Sequence, residues 1–480
     1  MAQPTCLVHR FILVALAAAA FTPRPIAATF NVGPTGSYAT IQDALDETIA
    51  SGFAEEIRIA TSGSPYVENI FVVATSTWTG SLTISGGWND TFDVQTADPT
   101  LTVIDGDASD RIFHLIQDAG TIEMSNLTLD GGRATSGQGS GLLADIDSAI
   151  LTLSDLVISN SIIAASGVGA TGGGISITAT GTASATLEDS VVFGNATQTD
   201  AGSNGGGGAF SVSDTADLTV RRTLFEANAA DTTADASSSG CGIYVTLFGA
   251  ATAQFEDITL RGNRCTGTGN AAGAAATLIS GSGSTVVGKP TLTVRRLVAD
   301  GNLNEKTDTN TAYQVDAFAN DGDVIFTDSL VVRGNQRGVR SDAFTAAAVT
   351  RLTNVTVADH PDLGLRFEGN SAANSSLYNS IAFGNSTDDS IVGTLSEGNN
   401  LFGSDPGFFA PDSGEYSLRQ GSAAVDAGSG APPGGLGAGD VEGDTRVQGL
   451  GVDVGAYEGP CERCIFADGF ESGNTSIWSP

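Results

Sequence analysis

One pattern recurs along the middle of the chain: an apolar residue, two polar residues, an apolar stretch, then Asn after a small residue. It starts at Leu153, Leu187, Val220, Phe255, Val294, Phe326, Leu352 and Leu377. It reaches Asn160, Asn195, Asn228, Asn263, Asn302, Asn335, His360 (in the Asn place) and Asn385. The starts are 34, 33, 35, 39, 32, 26 and 25 residues apart, and Met124-Ser125-Asn126 is an earlier, looser member. Behind each Asn, after a variable gap, a small residue opens an alternating run such as Gly174-Ile175-Ser176-Ile177 or Gly242-Ile243-Tyr244-Val245. Alternation marks strands with one buried face. A single repeat cannot cover its own apolar face, so consecutive repeats must stack.

Charge tests the stacking. The paired polar positions read Glu188-Asp189, Arg221-Arg222, Glu256-Asp257 and Arg295-Arg296, alternating in sign over four successive repeats. Opposite charges side by side on a sheet are favourable and like charges are not. The alternation makes sense if each repeat is one turn of a solenoid. No L-x-x-L-x-L pattern and no W-D signature points to a leucine-rich solenoid or a propeller. The expected fold is all-β, a right-handed parallel β-helix. Gly is 62 of 480 residues and lysine occurs only at 289 and 306, a composition for β-structure with many turns rather than for helices.

The two ends differ from the middle. Phe11 to Phe21 is an uninterrupted apolar run, and Pro25-Ile26-Ala27-Ala28 offers small residues for cleavage. This is the pattern of a secretory signal over residues 1–28, too short to span a bilayer. No later stretch spans a membrane. Ile41, Ala44, Leu45 and Ile49 lie on one helical face, the expected short N-terminal capping helix of a region 29–100 that also holds the first coils. Repeats fill 101–395, a Pro- and Gly-rich region follows at 396–459, and 460–480 is a Cys-containing tail, read as a sorting element or a disordered end.

The net charge is −33, and residues 1–28 hold two of the 21 basic residues and no acidic one, leaving 19 against 54. Such a chain repels nucleic acid and anionic lipid. Cys241, Cys265, Cys461 and Cys464 follow the signal, an even number that favours disulfides in an exported chain.

Several stretches resemble known families. Phe225-Glu226-Ala227-Asn228 and Gly207-Gly208-Ala209 resemble the F-x-x-N and G-G-A elements of polymorphic outer membrane protein repeats. The opening, with Tyr66 and Glu68 in a G-x-Y-x-E-like turn, is similar to that of pectin methylesterases and implies a pectin lyase-like solenoid. Their later elements D-F-I-F-G and L-G-R-P-W do not occur. Three spaced elements, Gly421 to Gly428, Gly439 to Arg446 and Val452 to Glu458, resemble the choice-of-anchor Q domain of bacterial exported proteins. That resemblance implies export and a cell-surface setting, not a reaction.

No catalytic constellation stands out, and no metal ligands are assigned. Asp105-Gly106-Asp107, Asp321-Gly322-Asp323 and Asp388-Asp389 read as turns, and neither D-x-D extends into a calcium loop. No cofactor is expected. Calcium is the ion so acidic a chain would attract, without a motif to hold it. The gaps behind the Asn column are long in the middle repeats (Thr197 to Gly206, Ala229 to Gly240, Cys265 to Ala272, Leu303 to Thr311) and should form one wall of loops. Asp200, Asp231, Asp235, Glu305 and Asp308 on that wall are the expected binding residues, with Cys241 and Cys265 joined to tie neighbouring coils. The expected function is adhesion or glycan binding at a cell surface without catalysis. The alternative is a lyase or hydrolase acting on an acidic glycan.

Overall fold

The computed structural model describes residues 28–51, 54–233, 236–281, 288–306, 312–369 and 374–459. They form a parallel β-helix. One turn shows the plan. Ile175–Thr180 is a strand of an eleven-stranded floor sheet. Ser184–Glu188 and Val191–Phe193 follow as two segments of an eighteen-stranded bent sheet. Ala196–Thr199 then joins a six-stranded flank sheet and Ser203–Asn204 a five-stranded wall sheet, before Gly208–Val212 re-enters the floor. All pairings in these four sheets are parallel, so equivalent residues stand directly above one another.

The register matches the repeat read from the sequence. Met124, Leu153, Leu187, Val220, Phe255, Val294, Phe326, Leu352 and Leu377 form one vertical file. Each is at most 1% exposed. Glu188, Arg221, Glu256 and Arg295 form the neighbouring file. Arg221 and Arg222 grip Glu188 at 2.5 and 2.8 Å, and Arg296 grips Asp257 and Glu256 at 2.5 and 2.7 Å.

Left-handed residues make the corners. Asn126, Asp155, Asp189, Arg222, Asp257, Arg296, Asp328, Asn354 and Asn379 have φ between 47° and 57° and bend the long sheet. Gly131, Asn160, Gly194, Ala227, Gly262 and Gly301 turn the chain toward the flank, and Arg333, Asp359 and Gly384 turn it straight toward the floor. Asn, Asp and Gly enter this region most readily, which explains the small residue before each repeat's Asn.

The next position is a buried amide ladder. Asn195 donates its backbone and side-chain N–H groups to Asn228 Oδ1 (3.0 and 3.1 Å), Asn228 does the same to Asn263, and Asn263 to Asn302. Two expected members fall elsewhere. Asn160 is itself a corner residue, so Ser161 takes its rung and donates to Asn195. Asn335 comes one place late and bonds Asn304, because Arg333 occupies the corner and Gly334 the rung.

The helix Ile41–Ser51 is where it was expected, with Ile41, Ala44 and Leu45 buried against the first strands and Ile49 partly so. It is the only α-helix among the described residues. Glu68 accepts the N–H groups of Ile41 and Gln42 at 2.9 and 3.1 Å and so caps its N-terminus. At the other end, residues 400–459 lie against the bent sheet of the last turns. Leu330, Val332, Ala358 and Ile381 from the turns pack with Phe408, Tyr416, Leu418, Val441 and Val454.

Candidate functional site: a groove along the floor sheet

Outward residues of the floor sheet form files along the stack. One file runs Phe71, His114, Leu143, Ser176, Ala209, Tyr244, Thr277, Asp316, Arg340, Arg366 and Ser390. Beside it run Asp145, Thr178, Ser211, Thr246, Ile279, Phe318, Asp342 and Glu368. Along the middle turns the wall sheet stands next to the first file and carries Gln138, Thr171, Asn204, Ser239 and Ala272 in register. Between them lies a cavity of about 180 Å³, touched by Gln138, Thr171, Ser176, Thr178, Ser211, Tyr244 and Thr246. Ala209 and Phe210 complete the lining, which is short hydroxyls and an amide around one tyrosine, one phenylalanine and one alanine, with no charge.

Among the described residues the last wall strand is Ala271–Ala272, and in the turns that follow the floor becomes charged. Asp316 is 1% exposed, and burial, opposed by Arg340, pushes its carboxyl up to about 7. Asp342, also 1% exposed, accepts Arg340 Nε–H at 2.5 Å and lies 3.8 Å from Arg366 Nε. Burial raises its pKa, with Arg340 pulling the other way. Arg366 Nη2 bonds Glu368 at 2.5 Å. Arg340 also stands over the ring of Phe318, 4.9 Å from its centroid.

The long gaps do not form a wall of loops. The first three each hold a flank strand and a wall strand, such as Ala229–Thr232 and Ser238–Ser239, and the fourth holds the flank strand Leu303–Asn304, with residues 307–311 outside the described ones. Asp200 sits at a tip, where Gly167 N–H and Ser166 Oγ–H hold its carboxyl below the usual range. Asp231 is in a flank strand and Glu305 lies 3.9 Å from Arg264. Asp235 and Asp308 are outside the described residues, as are Cys461 and Cys464. Nothing draws Asp200, Asp231 and Glu305 into one cluster.

Cys241 and Cys265 are bonded, with Cα atoms 5.5 Å apart. The bond joins the flank strand Arg264–Gly267 to the residue two places before the floor strand Ile243–Leu247. Behind it, Lys306 is 1% exposed and donates Nζ–H to Thr232 Oγ1, Ala236 O, Thr268 O and Asn270 O at 2.8–3.2 Å. Its ammonium fills the end of the lobe between flank and wall, and burial lowers its pKa to about 8.

Two other places have polar clusters but little spare valence. The cavity at the N-terminal corner, about 520 Å³, includes Tyr66 and Glu68. Tyr66 donates to Ala60 O at 2.7 Å and Glu68 caps the helix, so the residues of the G-x-Y-x-E-like turn hold the corner together. Asp440, Glu442 and Asp444 lie close enough to share a cation. Asp440, however, accepts the N–H groups of Glu442 and Asp444 on Oδ1 and of Glu458 on Oδ2, at 2.9 Å each, which makes it a turn anchor. Asp105 and Asp388 are turn acceptors too, for Asp107 and Asn385.

No family's sequence profile matches the chain, and no curated protein matches it. No helix among the described residues is long and apolar enough to cross a membrane. The groove escaped the sequence reading because Ser and Thr at alternate outward positions look like any solvated strand face. The charged end left a trace in Val315-Asp316-Ala317-Phe318 and Val339-Arg340-Ser341-Asp342, whose outward positions carry acids and a cation.

Proposed function

We propose that this chain is an exported, non-catalytic glycan-binding protein that takes an extended saccharide along the floor groove. The observation that carries this is the cavity between wall and floor, where Gln138 and Thr171 face Ser176 and Tyr244 and the outward file Thr178, Ser211 and Thr246 runs alongside. The hydroxyls of Thr178, Ser211 and Thr246 repeat at the strand spacing of about 4.8 Å, a ruler for a ligand that also repeats hydroxyls. Tyr244 supplies a ring against which a sugar can stack. The buried disulfide fits an oxidising compartment. The likeness of residues 421–458 to choice-of-anchor Q domains fits a cell-surface setting.

The test is retention on a panel of immobilised neutral and acidic glycans. Tyr244→Ala and Ser211→Trp should each abolish retention while leaving the melting curve unchanged. Equal retention by the Ser211→Trp protein would sink the groove reading. A second reading, glycan cleavage, is favoured by Asp316 and Asp342, two buried carboxyls with raised pKa values near Arg340. New reducing ends or unsaturated products during the same incubation would replace the first reading with the second.

A further inference from the structure

On the bent sheet the chain alternates charge up the stack, placing Arg beneath acid. On the floor sheet it does the opposite. Arg340 and Arg366 are direct register partners, and so are Asp342 and Glu368. Like charges directly opposite each other are unfavourable. The ion pairs run sideways instead, Arg340 to Asp342 and Arg366 to Glu368. The result is a positive file beside a negative one. Swapping Arg366 with Glu368 would give the alternating arrangement used elsewhere in the same protein, so its absence here calls for another cause.

The positive file is the one that continues the groove. Tyr244, Thr277, Asp316, Arg340 and Arg366 occupy consecutive rungs of a single file. Arg340 therefore stands about 15 Å from Tyr244 along the stack. Both arginine side chains keep an outer surface, 25% and 34% exposed, while Asp342 beside them is sunk at 1%. The two rungs between, Thr277 and Asp316, are 2% and 1% exposed, so the next accessible groups along this file after Tyr244 are the guanidinium groups. Phe344, 48% exposed, lies at the end of the Arg340 strand with its ring 5.8 Å from that of Phe318, next to the negative file.

We propose that Arg340 and Arg366 form an anion subsite at the end of the groove, which receives one carboxylate or sulfate group of an otherwise neutral saccharide. This rests on the groove being the glycan site. Planar guanidinium groups match carboxylate and sulfate geometry. A single anionic group fits better than a polyanion, because a chain of net charge −33 repels a long acidic polymer.

The experiment uses the full chain and three probes: a neutral β-1,4-linked glucose hexamer, the same hexamer oxidised to a carboxylate at one terminal C6, and free glucuronate. Wild type should bind the oxidised hexamer at least about tenfold more tightly than the neutral one. Arg340→Gln and Arg366→Gln should each erase that preference and the binding of glucuronate, leaving the neutral hexamer's affinity as it was. Tyr244→Ala should weaken both hexamers and spare glucuronate. Equal affinity for the two hexamers, or glucuronate binding that survives in both Gln variants, overturns the subsite. Glucuronate binding with neither hexamer retained overturns the groove and leaves the arginine pair as an isolated anion site.

Discussion

Arg446 Nη2 lies 2.8 Å from Asp328 Oδ1, with the two residues 118 positions apart in sequence and both almost fully buried. Asp328 is a left-handed corner of the bent sheet, and Arg446 also reaches Ala456 O at 2.9 Å and Glu458 at 3.7 Å. The corners Asp189, Arg222, Asp257 and Arg296 are at least partly exposed and carry the alternating charges. The later ones, Asn354 and Asn379, bond the backbone of Asp453, Gly455 and Ser429. The charge ladder stops where the C-terminal segment begins to cover it.

Removing one partner of a buried ion pair leaves the other uncompensated. Arg446→Ala should therefore cost about 3–5 kcal/mol in urea unfolding, and the double variant Arg446→Met with Asp328→Leu should recover much of it. Additive losses in the double variant would show that the two side chains do not interact.

Asn228 serves four hydrogen bonds at once: Asn195 N, Asn195 Nδ2, Val192 O and Asn263 Oδ1. Asn228→Ala strands these groups in the interior and should destabilise by at least about 2 kcal/mol. Asn160→Gly, at an exposed left-handed corner, should stay within about 0.5 kcal/mol of wild type in the same denaturation series.

The ladder on the bent sheet is partly exposed and should contribute modestly. Reversing Arg222 to Glu sets it against Glu188 and Asp189 and should cost about 1 kcal/mol at low salt, shrinking in 1 M salt. Adding Asp189→Arg, which restores opposite charges at the corner while Glu188 keeps its partner Arg221, should return part of the loss. A penalty that ignores salt would point to packing instead of charge.

Asp316 gives a pH signature. Its folded pKa, about 7, lies above that of an exposed aspartate. The folded state therefore holds the proton more tightly, and stability falls as pH rises from about 4 toward 7. Asp316→Asn should melt higher than wild type at pH 8, by an amount worth a few kcal/mol, and level with it near pH 4. A uniform shift at both pH values would contradict this.

The bond between Cys241 and Cys265 closes a loop of 24 residues. Cys265→Ser should lower stability by about 3 kcal/mol under oxidising conditions. Wild type in reductant should fall to the same level; a larger drop there would mean that another bond contributes.

The stack was legible because its evidence is periodic. Nine residues from Met124 to Leu377 stand in one file at the intervals counted in the sequence, and the alternating charges fall in the adjoining one. Wall strands such as Ser203–Asn204 and Ser238–Ser239 are two residues long, below what any alternation can signal, so they read as loops. The shift at Asn335 was hidden because Asn is common at corners, rungs and turns alike. Site residues were harder still. Acidic residues at protruding tips attract notice, yet Asp200 is tied to Gly167 and Ser166, whereas the groove lies where plain Ser and Thr face each other across two sheets. Arg340 and Arg366 are 26 positions apart, as the shortened late repeats require, but which neighbours they meet depends on a register that only pairing reveals.

Before the repeats shorten, turn length increases at two places. The wider spacing after Val220 comes from the tip between Thr232 and Ser238, and the widest, after Phe255, from the passage between Ser280 and Thr291. Both lie outside the files that fix the stack. Foreign segments spliced into either passage should leave every rung where it is, which makes the protein a ready frame for displaying a peptide at either place while the groove stays intact.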